Sequence, residues 1–157
     1  MHPDLDRKLC ERYPLMFRNR NNVAYTMGRG FECGDGWYAL IDAACAVATA
    51  SYEKARFAYE KTLEAGEDAD AVELARTEME VQAELVPVAL QVKEKLGSLR
   101  IYLGGDSERA RAAREFAEIL SESVCELCAK PGQSLEAGGV LRTRCAEHER
   151  EPSGFQG

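Results

Sequence analysis

Histidine is scarce in this chain: among 157 residues, only His2, near a terminus expected to be mobile, and His148 are present. A Ser-His-Asp triad or a Cys-His dyad needs a histidine beside its nucleophile, and His148 belongs to a metal-binding pattern. The sequence also lacks a phosphate-binding glycine loop and a dinucleotide fingerprint. It therefore predicts a protein that is not an enzyme, with a carboxylate-based activity as the open alternative.

Long apolar runs are missing as well. A membrane-spanning helix needs about 20 apolar residues in succession, and no stretch of the chain approaches that length. The first residues do not form a signal peptide, and Cys10, Cys33 and Cys45 are scattered without a pairing pattern. We therefore expect a soluble protein of a reducing, cytosolic compartment that has no membrane partner.

The remaining cysteines form the strongest chemical pattern in the chain. Cys125, Cys128, Cys145 and His148 follow the spacing C-x2-C-x16-C-x2-H. Two close pairs joined by a longer segment can place three sulfurs and one imidazole nitrogen tetrahedrally around Zn²⁺. Because four protein ligands leave no position for water, the pattern predicts a structural zinc site. The alternative is two disulfides or free cysteines, with His148 incidental.

The segments around these ligands predict a small zinc finger. Residues 125–132 suggest a tight knuckle followed by a polar loop. Two glycines precede a strand-like run at 140–144, and the polar segment 146–150 after Cys145 can form a turn or two of helix. A knuckle, a hairpin strand and a helix N-terminus in this order are typical of a treble-clef finger.

Apolar residues recur at steps of three and four through residues 37–86, which predicts two helices folded into a hairpin. Gly66 is expected to end the first helix as a left-handed cap. Asp70, with Glu73 three places on, resembles a capping box that begins the second helix. Pro87 then stops the helical pattern.

The outer faces of this helical hairpin are acidic. Between Glu53 and Glu84 there are ten acidic and four basic residues, so this stretch carries −6 of the net charge of −7. Such a balance repels a phosphate backbone. The acidic faces are either an ordinary solvated surface or a docking surface for a protein partner.

After Pro87 the apolar period changes to two, with Val88, Leu90 and Val92 expected on the inward face. This predicts a β-hairpin over 88–103 with its turn at 96–98. A third helix is expected to begin with a cap at Asp106 or Ser107 and to run to about Val124. The polar side chains of the hairpin would share one face, which could hold an anion, a nucleotide or an acidic partner, or could simply be solvated. They are Gln91, Lys93, Lys95, Arg100 and Tyr102.

The loop 31–37 contains two carboxylates and two glycines directly before the first long helix. Asp35 can cap that helix, and Trp37 would anchor its start in the core. The functional alternative is that Glu32 and Asp35 face the basic hairpin and complete a binding site with it.

Several motifs in this order resemble a family of small zinc-finger proteins found in tailed bacteriophages and prophages. The similarity covers most of the chain and rests on these segments: Tyr13-Pro14 with Phe17, ECGDGW (32–37), QVKEKLGSLRIY (91–102), GGD (104–106) and CELC (125–128) with Cys145. Two features depart from the family pattern. The helical hairpin from about Ser51 to Glu84 is longer than usual, and His148 stands where many relatives have a cysteine, a change that keeps zinc chemistry intact.

The resemblance implies a setting, the cytoplasm of an infected bacterium. It does not imply an activity, because no reaction is assigned to the family. Small phage accessory proteins often act by binding, so we expect a host protein, such as one of a defence system, to be bound and inhibited. The alternative is binding of nucleic acid or a nucleotide, and a virion component is a third class. The basic residues for the nucleic-acid alternative are Lys93, Lys95, Arg100, Arg142 and Arg144.

These patterns together predict an α+β protein. Its body, residues 1–123, would hold the acidic helical hairpin 37–86 packed on the small antiparallel β-hairpin. The treble-clef-like zinc finger would follow at 124–150, and a flexible tail at 151–157.

Overall fold

A computed structural model of the chain describes residues 1–105, 107–137 and 139–151. Within these residues the fold is α+β, with four α-helices and two separate two-stranded antiparallel sheets, so the predicted class is confirmed. The elements are α1 (Pro3–Arg12), α2 (Tyr38–Ala65), α3 (Ala69–Glu84), β1 (Val88–Lys95), β2 (Ser98–Gly104), α4 (Glu108–Ser121), β3 (Gln133–Ala137) and β4 (Val140–Arg144). Of the helices in these ranges, none is long and apolar enough to cross a membrane.

Helix α1 was not predicted, although its signals are local. The His2 ring accepts a hydrogen bond from the Asp4 N–H at 3.2 Å, and Pro3 occupies the first helical position. The Met1 nitrogen donates to the Phe31 carbonyl at 3.1 Å. The expectation of a mobile terminus at His2 is therefore wrong, because these bonds fix it against the body.

Helices α2 and α3 pack against each other as the predicted hairpin. Gly66 ends α2 in the left-handed conformation (φ 67°), as predicted, and its N–H bonds back to Leu63. The predicted start of α3 at Asp70 is wrong, because the Asp68 side chain accepts from the Ala71 N–H at 2.9 Å and caps the helix two residues earlier.

The α2–α3 pair extends well beyond the core. Ala55 is the last buried residue of α2, and none of the residues 56–85 is buried. We call residues 56–85 the arm. The apolar stripe predicted on α3 faces α2 but is only half-buried, since two helices alone cannot enclose a core. The arm's exposed large apolar side chains are Phe57, Leu63, Leu74, Val81 and Leu85.

Strands β1 and β2 form the predicted hairpin, but its turn is shorter than expected. Lys95 pairs with Ser98, which leaves only Leu96 (φ 53°) and Gly97 (φ 79°) in the turn. Two successive positive φ angles are typical of a type I′ turn, whose twist matches that of the strands. Ser98 therefore belongs to β2, and the predicted turn at 96–98 is corrected accordingly.

A β-bulge changes which residues of β1 face the core. The register shifts between Ala89 and Gln91, so Ala89 and Val92 are both 1% exposed whereas Leu90 is 41% exposed. The predicted inward set of Val88, Leu90 and Val92 is therefore wrong at Leu90. One extra residue reverses the alternation on one side of the bulge only.

Helix α4 covers β2 and packs on α2. Its N-cap is Ser107, one of the two predicted caps, whose side chain accepts from Ala110 N–H at 3.2 Å. The helix ends at Ser121, before the predicted Val124, because residues 122 and 123 form a turn. The other predicted cap, Asp106, lies outside the described residues, as does the predicted tail from residue 152 onward.

The hydrophobic core lies between α1, the segment 13–31, the first half of α2 and the inner face of the β1–β2 sheet. Trp37 and Leu99 are fully buried within it. The rings of Phe17 and Phe31 meet edge to face, with centroids 5.1 Å apart. The core therefore surrounds the loop that carries the ECGDGW motif.

Candidate metal centre

The four predicted ligands meet at one point. One donor atom from each of Cys125, Cys128, Cys145 and His148 lies within 4.8 Å of the others. The Cys128 and Cys145 sulfurs are 3.7 Å apart, and His148 Nδ1 lies 3.6 Å from the Cys125 sulfur and 3.2 Å from the Cys145 sulfur. A tetrahedral ion with metal–sulfur bonds of about 2.3 Å and a metal–nitrogen bond of about 2.1 Å needs edges of roughly 3.6–3.8 Å. The cluster could therefore hold a metal ion.

Two turns place these donors. In the first, the Ala129 N–H donates to the Cys125 carbonyl at 3.0 Å and Ala129 takes a positive φ of 63°. In the second, at the end of β4, the His148 N–H donates to the Cys145 carbonyl at 3.0 Å. The short helix predicted at 146–150 is wrong, because these residues form turns and a bend.

The environment of the cluster favours ionised sulfur at Cys125 and Cys145, whose pKa values are lowered, whereas the pKa of Cys128 is raised. Burial disfavours the Cys125 thiolate, but N–H groups of Cys145, Leu127 and Cys128 and the His148 ring outweigh it and lower the pKa of Cys125 to about 6. Hydrogen bonds with the Cys125 and Cys145 sulfurs raise the pKa of His148. A thiolate is the form of cysteine that binds metals, so Cys125 is ready to bind a cation at neutral pH.

The other three cysteines have the opposite chemistry. Burial, aided by Asp6, raises the pKa of the Cys10 thiol to about 12. Burial likewise raises the pKa of Cys33 to about 12 and raises that of Cys45. These thiols stay protonated at neutral pH. Cys33 and Cys45 behave as small core side chains, and Cys10 packs against the core while half-buried.

A buried ion pair between Glu126 and Arg144 joins the knuckle to the end of β4. Arg144 Nη1 lies 2.8 Å from Glu126 Oε2, and the side chains are 0% and 1% exposed. The Gly34 N–H donates to the other Glu126 carboxylate oxygen at 2.9 Å, and the Gly36 N–H donates to the Glu126 carbonyl at 2.7 Å. Glu126 therefore attaches the loop of the ECGDGW motif to the knuckle that carries Cys125 and Cys128.

Further contacts join the finger to the body. The indole N–H of Trp37 donates to the Val124 carbonyl at 2.9 Å. The Thr143 hydroxyl donates to the carbonyl of Gly97, in the β1–β2 turn, at 2.5 Å. The division into a body and a finger at 123/124 stays a prediction, but buried hydrogen bonds cross it.

Glu126 was not predicted to be a functional residue, and Arg144 was assigned to the nucleic-acid alternative. A fully buried Arg144 side chain cannot reach a phosphate backbone, so that assignment is wrong. A signal was present: two residues of opposite charge stand directly beside metal-binding cysteines, Cys125 and Cys145. Charged side chains are almost never fully buried unless they are paired. Opposite charges beside two ligands of one cluster therefore indicate an ion pair.

The predicted polar face of the β-hairpin is formed in part. Gln91 pairs with Tyr102, and Lys93 pairs with Arg100 across the strands. The Lys93 ammonium lies 5.5 Å from the centroid of the Tyr102 ring, within cation–π range. Arg100 is already occupied: it donates to the Leu99 carbonyl at 2.8 Å and lies 4.0 Å from a Glu118 oxygen.

Glu32 lies beside this face, where the functional alternative for the loop 31–37 placed it together with Asp35. Its N–H donates to the Val92 carbonyl at 2.9 Å, and its carbonyl accepts from the Glu94 N–H at 2.8 Å, so it adds a bridge beside β1. The Glu32 carboxylate accepts from the Gln91 amide at 2.7 Å. An acidic group therefore sits beside the basic pair on this face.

Asp35 and Lys95 do not join that cluster. The Asp35 carboxylate accepts from the His2 N–H at 2.6 Å, and α2 begins after Trp37 without a side-chain cap. The predicted cap at Asp35 is therefore wrong, because its side chain secures the N-terminal segment. Lys95 lies at the end of β1, opposite Ser98, and is exposed.

Comparison of the chain with protein-family models, curated proteins and solved structures finds no match. The two most distinctive features of the chain are the Cys3His cluster, which is hydrogen-bonded to the body, and the arm, which has no buried residue.

Proposed function

We propose that this is a non-enzymatic phage or prophage accessory protein that acts by binding and inhibiting a host protein, such as a defence protein, in the bacterial cytoplasm. A structural zinc ion stabilises its fold. The observation that carries the proposal is the arm, an acidic helical pair that exposes large apolar side chains and contributes no buried residue.

Zinc is the metal we assign to the Cys3His cluster. Three sulfurs and an imidazole in tetrahedral contact are the donors of structural zinc sites. The knuckle followed by the β3–β4 hairpin supports a treble-clef-like finger, in which the turn at Cys145–His148 takes the place of the usual helix. Because all four positions belong to the protein, the ion supplies stability and leaves no position for a reacting water.

The arm has the composition of a protein-docking surface. Its arginines are neutralised locally: Arg56 lies 2.7 Å from Glu53 and 2.6 Å from Glu60, and Arg76 lies 2.7 Å from both Glu73 and Glu80. The acidic excess therefore remains at the surface. It surrounds exposed apolar side chains, and such a mixed patch favours a partner with basic and apolar residues.

The outer face of α3 combines exposed apolar and acidic side chains. Leu74, Val81 and Leu85 recur at steps of seven and four, so they lie along one side of the helix, and they are 74%, 47% and 62% exposed. Glu78 lies on the same side, between Leu74 and Val81. An apolar row interrupted by acid is suited to a basic amphipathic helix or strand of another protein.

Nucleic-acid binding is less well supported. Arg144 is buried, Arg100 is bound within the sheet, and Glu32 adds negative charge beside Lys93. The remaining cations are few in a protein with a net charge of −7.

An affinity pull-down from bacterial lysate, with and without nuclease, tests the proposal. We expect a stoichiometric protein partner that survives nuclease and is lost with the double variant Leu74→Asp/Val81→Asp. The control Leu96→Asp removes a similarly exposed apolar side chain outside the arm and should retain the partner. Recovery that disappears with nuclease, or equal recovery by the arm variant and the control, would contradict the proposal.

A further inference from the structure

A cleft of about 580 Å³ lies between α1 and the segment 20–31, apart from the metal centre and the arm. Its volume is within the range of about 300–1,000 Å³ that is typical of small-molecule sites. The charged side chains that line it are Asp6, Arg7, Glu11, Arg20 and Arg29. Three guanidinium groups thus face two carboxylates in a protein that is acidic overall.

A partly buried ion pair forms part of the cleft wall. Arg20 donates to both oxygens of Asp6, at 3.0 and 2.8 Å, and to the Gly28 carbonyl at 3.0 Å. Asp6 is 8% exposed. These contacts use three of the five N–H groups of the guanidinium, and the Arg20 side chain, which is 25% exposed, also interacts with Cys10 and lines the cleft.

The backbone holds this pair in place. Gly30 has a φ of 88°, and a Cβ at this position would lie 2.7 Å from Asp6 Oδ2 and 2.9 Å from Arg20 Nη2. A side chain at residue 30 would therefore displace the ion pair. The Cys10 thiol donates to Asp6 at 3.5 Å. The pair is fixed from several sides, so a ligand bound there would meet a preorganised guanidinium.

The charges of the cleft leave one cation uncompensated. Asp6 offsets Arg20, and Glu11 lies 3.8 Å from Arg7, which also contacts Asp4 at 2.7 Å. Arg29 is exposed and has no ion pair or side-chain hydrogen bond within the described parts of the chain. A guanidinium that lines a cleft without a counter-charge can form charge-assisted hydrogen bonds with an anion bound there.

We propose that this cleft binds a small organic anion, with a phosphate or carboxylate group held by Arg29 and Arg20 and a body no larger than a mononucleotide. Arginine offers both groups paired N–H donors in the matching geometry. The apolar part of the ligand would lie against Met1 and Pro3, which also line the cleft. The inference is independent of the zinc site and of partner binding by the arm.

Isothermal titration calorimetry tests the site with three probes: inorganic pyrophosphate, AMP and citrate. The salt concentration is about 0.1 M, at which charges more than about 10 Å away are largely screened. We expect at least one probe to bind with a Kd of about 1 mM or lower. The phosphate and carboxylate probes identify the anion class, and AMP against pyrophosphate reports the contribution of an organic body.

Arg29→Ala should weaken the binding probe by about tenfold or more, because it removes one charge-assisted contact. Arg150→Ala is the matched control, since it removes an exposed arginine of the finger and changes the net charge equally. Arg29→Lys, which keeps the charge, should recover part of the affinity. The proposal is overturned if none of the three probes binds the unaltered protein, or if Arg29→Ala and Arg150→Ala weaken binding equally.

Discussion

Single residues at the contact between loop and knuckle have large effects on this fold. Gly36 is an example, because a Cβ there would collide with the Cys125 carbonyl and lie 2.6 Å from the Ala129 nitrogen. Both are backbone atoms of the metal-binding knuckle and cannot move aside as a flexible side chain can.

Gly36→Ala should therefore lower the free energy of unfolding by about 3 kcal/mol, at the upper end of overpacking costs. Gly66→Ala is the control: it also changes a helix-associated glycine, but its Cβ would meet no atom within 4 Å. The control should cost only about 1 kcal/mol, for the left-handed backbone. Urea denaturation measures both, and equal losses would contradict the close contact.

The Glu126–Arg144 pair gives a second prediction for single residues. Arg144→Ala should destabilise the protein by about 3–5 kcal/mol, because it leaves the Glu126 carboxylate buried without its partner. Lys130→Ala breaks an exposed ion pair with Glu147 on the same finger and should leave the urea midpoint unchanged. If both variants unfold at the same urea concentration, the buried pair does not have the assigned role.

The sequence could predict the four ligands but not this pair. Ligand spacing is a local pattern, so Cys125, Cys128, Cys145 and His148 could be found by counting. The pairing of Glu126 with Arg144 depends on how the knuckle packs against β4, which no local pattern encodes. The same limit applies to Asp35, whose partner lies 33 positions away in the chain.

At the scale of secondary-structure elements, the helices and the hairpin were predictable because their periods are long and regular. The errors lie where one residue breaks the period. The bulge at Ala89 and Gln91 is one such place, since Ala89 and Leu90 are both apolar and either could face inward. Helix α1 was missed although a cap and a proline marked its start, because its apolar face is short.

Unequal burial among the elements predicts unequal stability. The backbone amides of the arm should exchange with deuterium at least about tenfold faster than those of Val92 and Ile101, because no residue from 56 to 85 is buried. Asp68→Ala should speed exchange in α3 alone by removing its cap, a loss of about 1 kcal/mol. Mass spectrometry of peptides measures both effects, and uniform protection of arm and sheet would contradict the prediction.

At the scale of the whole molecule, the metal centre and the core are expected to respond together. Trp37 is the only tryptophan of the chain, is fully buried, and donates to Val124 next to the first ligand. Its fluorescence therefore reports on the junction between finger and body.

We expect the purified protein to contain one equivalent of zinc, and a strong chelator at neutral pH to shift the Trp37 emission to longer wavelength as the knuckle loosens. Cys128→Ser should give the same shifted emission without chelator. Elemental analysis and fluorescence measure the two effects. Absence of bound metal together with an unshifted spectrum in the variant would refute a structural zinc site.

The arm also has a consequence for how this protein can change over time. Because no residue from 56 to 85 is fully buried, packing constrains mutations there less than in the core, and helical turns can be gained or lost at the tip near Gly66. The core and the metal ligands, by contrast, are bound to one another through Glu126 and must evolve slowly as a unit. If the arm is the binding surface proposed above, such a division lets it change with its partner while the scaffold stays constant.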